Sequence, residues 1–141
     1  MATFNKINSF VEDVHEKVHN LGADTLKVML TNSAPVATNT IKGNLTEIGA
    51  GNGYTAGGTQ ATISSSAQTS GTYKLVLADG VFTASGGTIG PFRYAVLYND
   101  TPTSPLDPLI GWYDYGSAVT LQANETFTVD FDATNGVIQS V

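Results

Sequence analysis

Residues 24–31 read Asp24-Thr25-Leu26-Lys27-Val28-Met29-Leu30-Thr31, so the apolar side chains Leu26, Val28 and Leu30 alternate with Lys27, Met29 and Thr31. A period of two marks an extended strand with one buried face, because successive side chains on such a chain point to opposite sides. Immediately upstream the period is different. Phe10, Val11, Val14, Val18 and Leu21 fall within an arc of about 100° when each residue advances by roughly 100°, the turn of an α-helix. Ser9 and Glu12 have the spacing of a capping box and Gly22 supplies a stop, which predicts an amphipathic helix over residues 9–21.

Downstream of Thr31 the helical period does not return. Strands are expected at 60–64, 73–78, 81–84, 92–98, 109–115, 118–121, 126–131 and 137–141. Turn chemistry separates them at Asp79-Gly80, Ser85-Gly86-Gly87, Asn99-Asp100-Thr101-Pro102 and Asn135-Gly136, the last a strong hairpin signal. Short strands in series with no helices between them predict a mainly β protein, a jelly-roll-like β-sandwich with one short N-terminal amphipathic helix. The chain is expected to form a single domain over 1–141. Residues 32–58, with Pro35 and six glycines, form the main irregular segment, with a helical turn expected at 45–48.

The chain has 141 residues, twelve acids against six bases, a net charge of −6 and no cysteine. Disulfides, thiolate metal sites and thiol chemistry are therefore excluded. The acidic balance repels a phosphate backbone, so no nucleic-acid partner is expected. No apolar run is long enough to span a bilayer and the N-terminus lacks an apolar signal region, so no membrane partner is expected either. The sequons at Asn44, Asn99 and Asn124 have meaning only in a secreted chain.

Sites with chemical potential are few. Gly51, Gly53 and Ala56 match the loose spacing of a dinucleotide loop, but the glycine-broken, β-branched run after them cannot open the helix that a pyrophosphate needs. The segment reads instead as a loop whose glycines supply positive φ. His15 and His19 share the predicted polar helix face with Glu12 and Glu16; without a third fixed ligand they read as solvated. "DFDATNG" at 130–136 imitates a calcium loop, but its glycine comes one place late and Val141 stands where the closing Glu belongs. Asp130 and Asp132 flank Phe131 and could form an acid/base pair. No serine lies in a G-x-S-x-G elbow. No enzyme activity, cofactor or metal is expected.

Aromatic residues carry more information. Phe92, Tyr94, Val96 and Tyr98 lie on one side of a predicted strand, while Trp112 and Asp114 alternate with Tyr113 and Tyr115 on the next. The rings read first as an aromatic core with tyrosine hydroxyls reaching its rim; if one face is exposed, rings beside an Asp could instead anchor a protein interface or stack on sugars.

Four long phrases, "SFVEDVHEKVHNLGADTLKVMLTNSAPVATNT" (9–40), "TEIGAGNGYTAGGT" (46–59), "GTYKLVLADGVFTASGGTIGPFRYAVLYNDT" (71–101) and "PLIGWYDYGS" (108–117), resemble small structural proteins of tailed bacteriophages. Within that group the chain is similar to head decoration, or cement, proteins. The resemblance implies a jelly-roll-like protein on the outer surface of the virion head, forming a homodimer or homotrimer and bridging subunits of the major capsid protein. Trp112, Tyr113 and Tyr115 are then the candidate subunit contacts, and Tyr54 and Pro35 the contacts made by the long loop. The competing readings are a tail or head-fibre component, a carbohydrate-binding module stacking sugars on Trp112 and the tyrosines, and a hydrolase using Asp130 and Asp132.

Overall fold

The computed structural model describes residues 2–141. The elements run β1 (Phe4–Lys6), α1 (Ser9–His15), β2 (Leu26–Thr31), a 3-10 turn (Lys42–Asn44), β3 (Thr59–Gln60), β4 (Ile63–Thr69), β5 (Thr72–Leu77), β6 (Gly80–Thr83), β7 (Ile89–Asn99), β8 (Leu109–Leu121), β9 (Thr126–Val129) and β10 (Ile138–Ser140). The protein is mainly β, as the alternation predicts. Its strands pair antiparallel in three open sheets, of five strands in the order β1-β8-β7-β2-β3, three in the order β10-β5-β4, and two, β6-β9.

β2 and β7 place Met29 opposite Val96 and Leu30 opposite Ala95, and β8 continues the two rows with Trp112 and Tyr113. The Leu30 face packs on β9 and the segment that follows it: the Phe92 ring meets Phe127 at 4.9 Å and the Tyr113 ring meets Phe131 at 5.9 Å. The Met29 face is closed as well, although the alternation predicts one buried side. Met29 and Thr31 are fully buried because the long irregular segment supplies a second cover. Lys42 lies over the Tyr98 ring, Leu45 and Ile48 pack on the core, and Glu47 bridges to Thr31. β2 is therefore a central strand with both faces in the core.

Several boundaries differ from expectation. Helix α1 ends at His15 instead of Leu21, because Lys17 takes a positive φ of 68° and closes a Schellman motif. There the Val18 N–H reaches the Asp13 carbonyl at 2.8 Å and the Lys17 N–H the Val14 carbonyl at 3.3 Å. The Ser9 capping box does not form: Asn8 occupies the cap position without a side-chain bond, and Ser9 Oγ is buried without a partner. Val11 and Val14, predicted on the apolar face, remain 43% and 36% exposed. The turn expected at 45–48 lies earlier, at Lys42–Asn44, where Asn44 Oδ1 accepts the N–H groups of Thr40 and Ile41.

The two strands expected at 109–115 and 118–121 are one, β8, which runs through Gly116 at φ 102°. Asn135-Gly136 does not join a hairpin, since β9 pairs with β6 and β10 with β5. Long-range pairing overrides the local turn signal there. A tight hairpin occurs instead at Ser70-Gly71, where φ values of 51° and 83° suit the twist of β4 and β5.

Candidate interaction surface

β8 carries the aromatic candidates on two different faces. Tyr113 is only 9% exposed, held between Phe4 at 5.2 Å and Phe131, and this apolar enclosure pushes its phenol up to about 12. It belongs to the core. Trp112 is half-buried on the opposite face, in register with Val96 and Asn5. Tyr115, two residues beyond Tyr113, is 58% exposed, with its ring edge-on to Phe127 at 5.5 Å. Of the three, Tyr115 is the side chain free to meet another molecule.

The strand beneath Tyr115 is firmly placed. Arg93 Nε donates to Asp114 Oδ1 at 2.8 Å and its terminal nitrogen to Oδ2 at 3.1 Å, a two-pronged pair. Asp114 also accepts the Gly116 N–H at 2.8 Å. The Arg93 guanidinium, then the Gly116 amide, holds the Asp114 carboxyl below the usual range. Arg93 reaches Asp114 because the β7–β8 register shifts between Phe92 and Tyr94, an irregularity that re-aims a side chain. Beside this pair lies an apolar hollow of about 170 Å³, whose lining includes Ala95, Tyr113, Tyr115, Phe127 and Val129. Such a volume lies below the about 300 Å³ at which pockets for small organic ligands begin; it suits a single apolar side chain.

The loop candidates are turned inward. Tyr54 is 3% exposed and stacks on Phe82 at 5.7 Å. Its hydroxyl donates to Glu47 Oε1 at 2.7 Å and accepts the Leu30 N–H at 3.0 Å. Pro35 is buried too. Neither can be a partner contact in this fold, because the loop packs back on its own sheet. Glu47 is the organising residue that the sequence did not reveal. It also accepts the Gly57 N–H at 2.6 Å and pairs with Lys42 at 3.3 Å, while Tyr98 donates to the Gly57 carbonyl at 2.6 Å. The glycines let the chain come this close: Gly53 and Gly58 have φ of 100° and 85°, and a Cβ on Gly58 would overlap the Val28 carbonyl.

His15 and His19 do not share a solvated face. His15 is exposed, whereas His19 lies beyond the helix end, is 6% exposed and packs on Phe10 at 5.1 Å. Asp130 and Asp132 follow the end of β9 rather than lying on it. Asp132 accepts the N–H groups of Thr134 and Asn135 at 2.9 and 2.8 Å, and the Asn135 amides in particular lower its carboxyl. It shapes the turn. Among the described residues no group of three or more His, Asp or Glu side chains could hold a metal ion, and no helix is long and apolar enough to cross a membrane. No protein-family model matches the chain, and neither a curated protein nor a solved structure does.

Proposed function

We propose that this chain is a non-enzymatic structural protein of a phage virion, a decoration protein that attaches to the outer surface of the head and clamps neighbouring subunits of the major capsid protein. The observation that carries the reading, beside the resemblance of the four sequence phrases, is the exposed Tyr115 next to a hollow sized for one side chain. An anchor and a socket on a rigid strand make a protein contact. The proposal includes the finer architecture: the five-stranded sheet is one layer of a jelly-roll-like sandwich, and the two smaller sheets are the other.

The sugar-stacking reading has less support, because Trp112 and Tyr115 stand on opposite faces of β8 and cannot form one flat platform. The hydrolase reading loses Asp132 to its turn.

The test is co-sedimentation of the purified protein with emptied tailed-phage heads stripped of their outer proteins, beside intact heads. Binding to stripped heads that saturates and is weakened by Tyr115→Ala supports the proposal. Equal indifference to both kinds of head, at concentrations above the micromolar range typical of weak contacts, about 10⁻⁶ M, overturns it.

A further inference from the structure

β4 (Ile63–Thr69) is the outermost strand of the β10-β5-β4 sheet, and it is the longest strand end-on to solvent among the described residues. The other outer strands, β1, β3, β6, β9 and β10, have between two and four residues. Free edges in monomeric proteins are normally short, charged, broken by proline or bulged. The sequence Ile63-Ser64-Ser65-Ser66-Ala67-Gln68-Thr69 contains neither charge nor proline, and its one bulge lies at the start, between Ile63 and Ser65. From Ser65 to Thr69 the pairing with β5 is regular and no strand pairs on the other side; these residues are exposed except Ser66, which is half-buried with its hydroxyl on that of Tyr73.

The direction of its backbone groups follows from the hairpin. Thr69 and Thr72 close a two-residue turn and Ala67 faces Lys74, so these positions point their N–H and C=O groups at β5. In the alternation of an antiparallel ladder, Ser66 and Gln68 then point theirs outward. An acidic chain with a net charge of −6 repels its own copies over most of its surface, but this edge brings no charge of its own to the meeting.

We propose that β4 is a self-pairing edge: two copies of this chain join β4 to β4 in antiparallel register about a two-fold axis at Ser66. Ser66 of each copy exchanges N–H···O bonds with Ser66 of the other and Ala67 faces Ser65, while Gln68 falls opposite Ser64, at the bulge where the regular pairing ends. The product is one continuous sheet that runs β10-β5-β4 in one copy and β4-β5-β10 in the next. A two-fold axis makes the contact self-complementary. The proposal does not depend on head binding, since β4 and Tyr115 belong to different sheets.

The experiment is sedimentation equilibrium of the full chain and three variants. Gln68→Pro removes an outward N–H without touching a β4–β5 ladder bond, although it also gives up the bond from the Gly71 N–H to Gln68 Oε1 in the turn, and the symmetric loss should raise the dimer dissociation constant by about 10- to 100-fold. Ala67→Glu sets like charges diagonally across the axis and should also weaken the dimer, and adding Ser65→Lys to it should restore pairing by placing Lys opposite Glu. Because Ala67 and Ser65 are exposed, these two variants report on pairing even if Gln68→Pro folds poorly. A monomeric parent protein, an oligomer that Ala67→Glu leaves unaffected, or one that Ala67→Glu weakens and the added Ser65→Lys does not restore, overturns the proposal.

Discussion

Asn99 Oδ1 accepts the Thr101 N–H at 3.0 Å, so its amide nitrogen faces Asp24 Oδ2 at 2.7 Å and His19 Nδ1 at 3.0 Å. His19 must therefore accept at Nδ1 and carry its proton on Nε2, which looks toward Asp13 at 4.0 Å. Burial lowers its ionisation to about 4 from 6.5, against the pull of Asp24. The unfolded chain thus takes up a proton that the folded chain refuses. Stability is complete above about pH 6.5 and is lost as pH falls toward 4, by on the order of 3 kcal/mol in all. Asp13 and Asp107, both raised by burial, oppose this trend at the acid end. Urea unfolding at pH 7 and pH 4.5 should show the loss, and His19→Gln, which keeps an acceptor for Asn99, should flatten it; an unchanged slope would assign the effect to other groups. At Gly58, Ala has to adopt a φ of 85° against the Val28 carbonyl, and a cost of about 2–4 kcal/mol in unfolding free energy is expected.

The long loop behaves as an element, although it contains only a single 3-10 turn. Glu47 gathers Tyr54, Gly57 and Lys42 onto one carboxylate, and hydrogen bonds to a charged group are worth more than neutral ones. Glu47→Ala should lower stability by about 2–3 kcal/mol and speed hydrogen exchange at the Gly57 amide, while the β7–β8 amides keep their protection. Uniform acceleration across both would mean that the loop is not a separable cover. The same elements show what the sequence could convey. Alternation in 24–31 identified β2 and placed Leu26, Val28 and Leu30 in the core, because those residues lie on a face defined by the strand alone. Met29 and Thr31 depended on a cover drawn from a segment with no period at all. The helix stop was hidden because a lysine, rather than a glycine, holds the left-handed position, and Asn135-Gly136 misled because β9 and β10 find better partners far along the chain. Tyr115 was legible as a candidate, but its separation from Tyr113 required knowing where β9 lies.

At the scale of the whole molecule, the proposed decoration role works through binding linkage, with Tyr115 as the exposed aromatic anchor. A clamp that prefers the assembled shell to separate subunits stabilises each site by RT ln(1 + [L]/Kd), about 2.7 kcal/mol when free protein exceeds Kd a hundred-fold. On the proposed function, the temperature at which stripped heads come apart should therefore rise with the logarithm of added protein once sites begin to fill. Tyr115→Ala should move that curve to concentrations about 10- to 100-fold higher, the usual effect of losing a central anchor. Its own thermal midpoint should fall only slightly, because Tyr115 is 58% exposed and loses mainly its edge contact with Phe127, worth about 1 kcal/mol. Gln68→Pro separates the two surfaces: it should weaken the dimer at β4 while leaving the intrinsic affinity of each copy for the head unchanged. Where each copy alone finds its site, the curve should keep its midpoint; where both copies of a dimer bind neighbouring sites at once, loss of the link should shift it further than either single contact predicts. Differential scanning calorimetry of heads titrated with the parent chain and both variants distinguishes these cases, and a curve that stays flat with the parent chain removes head clamping from the account.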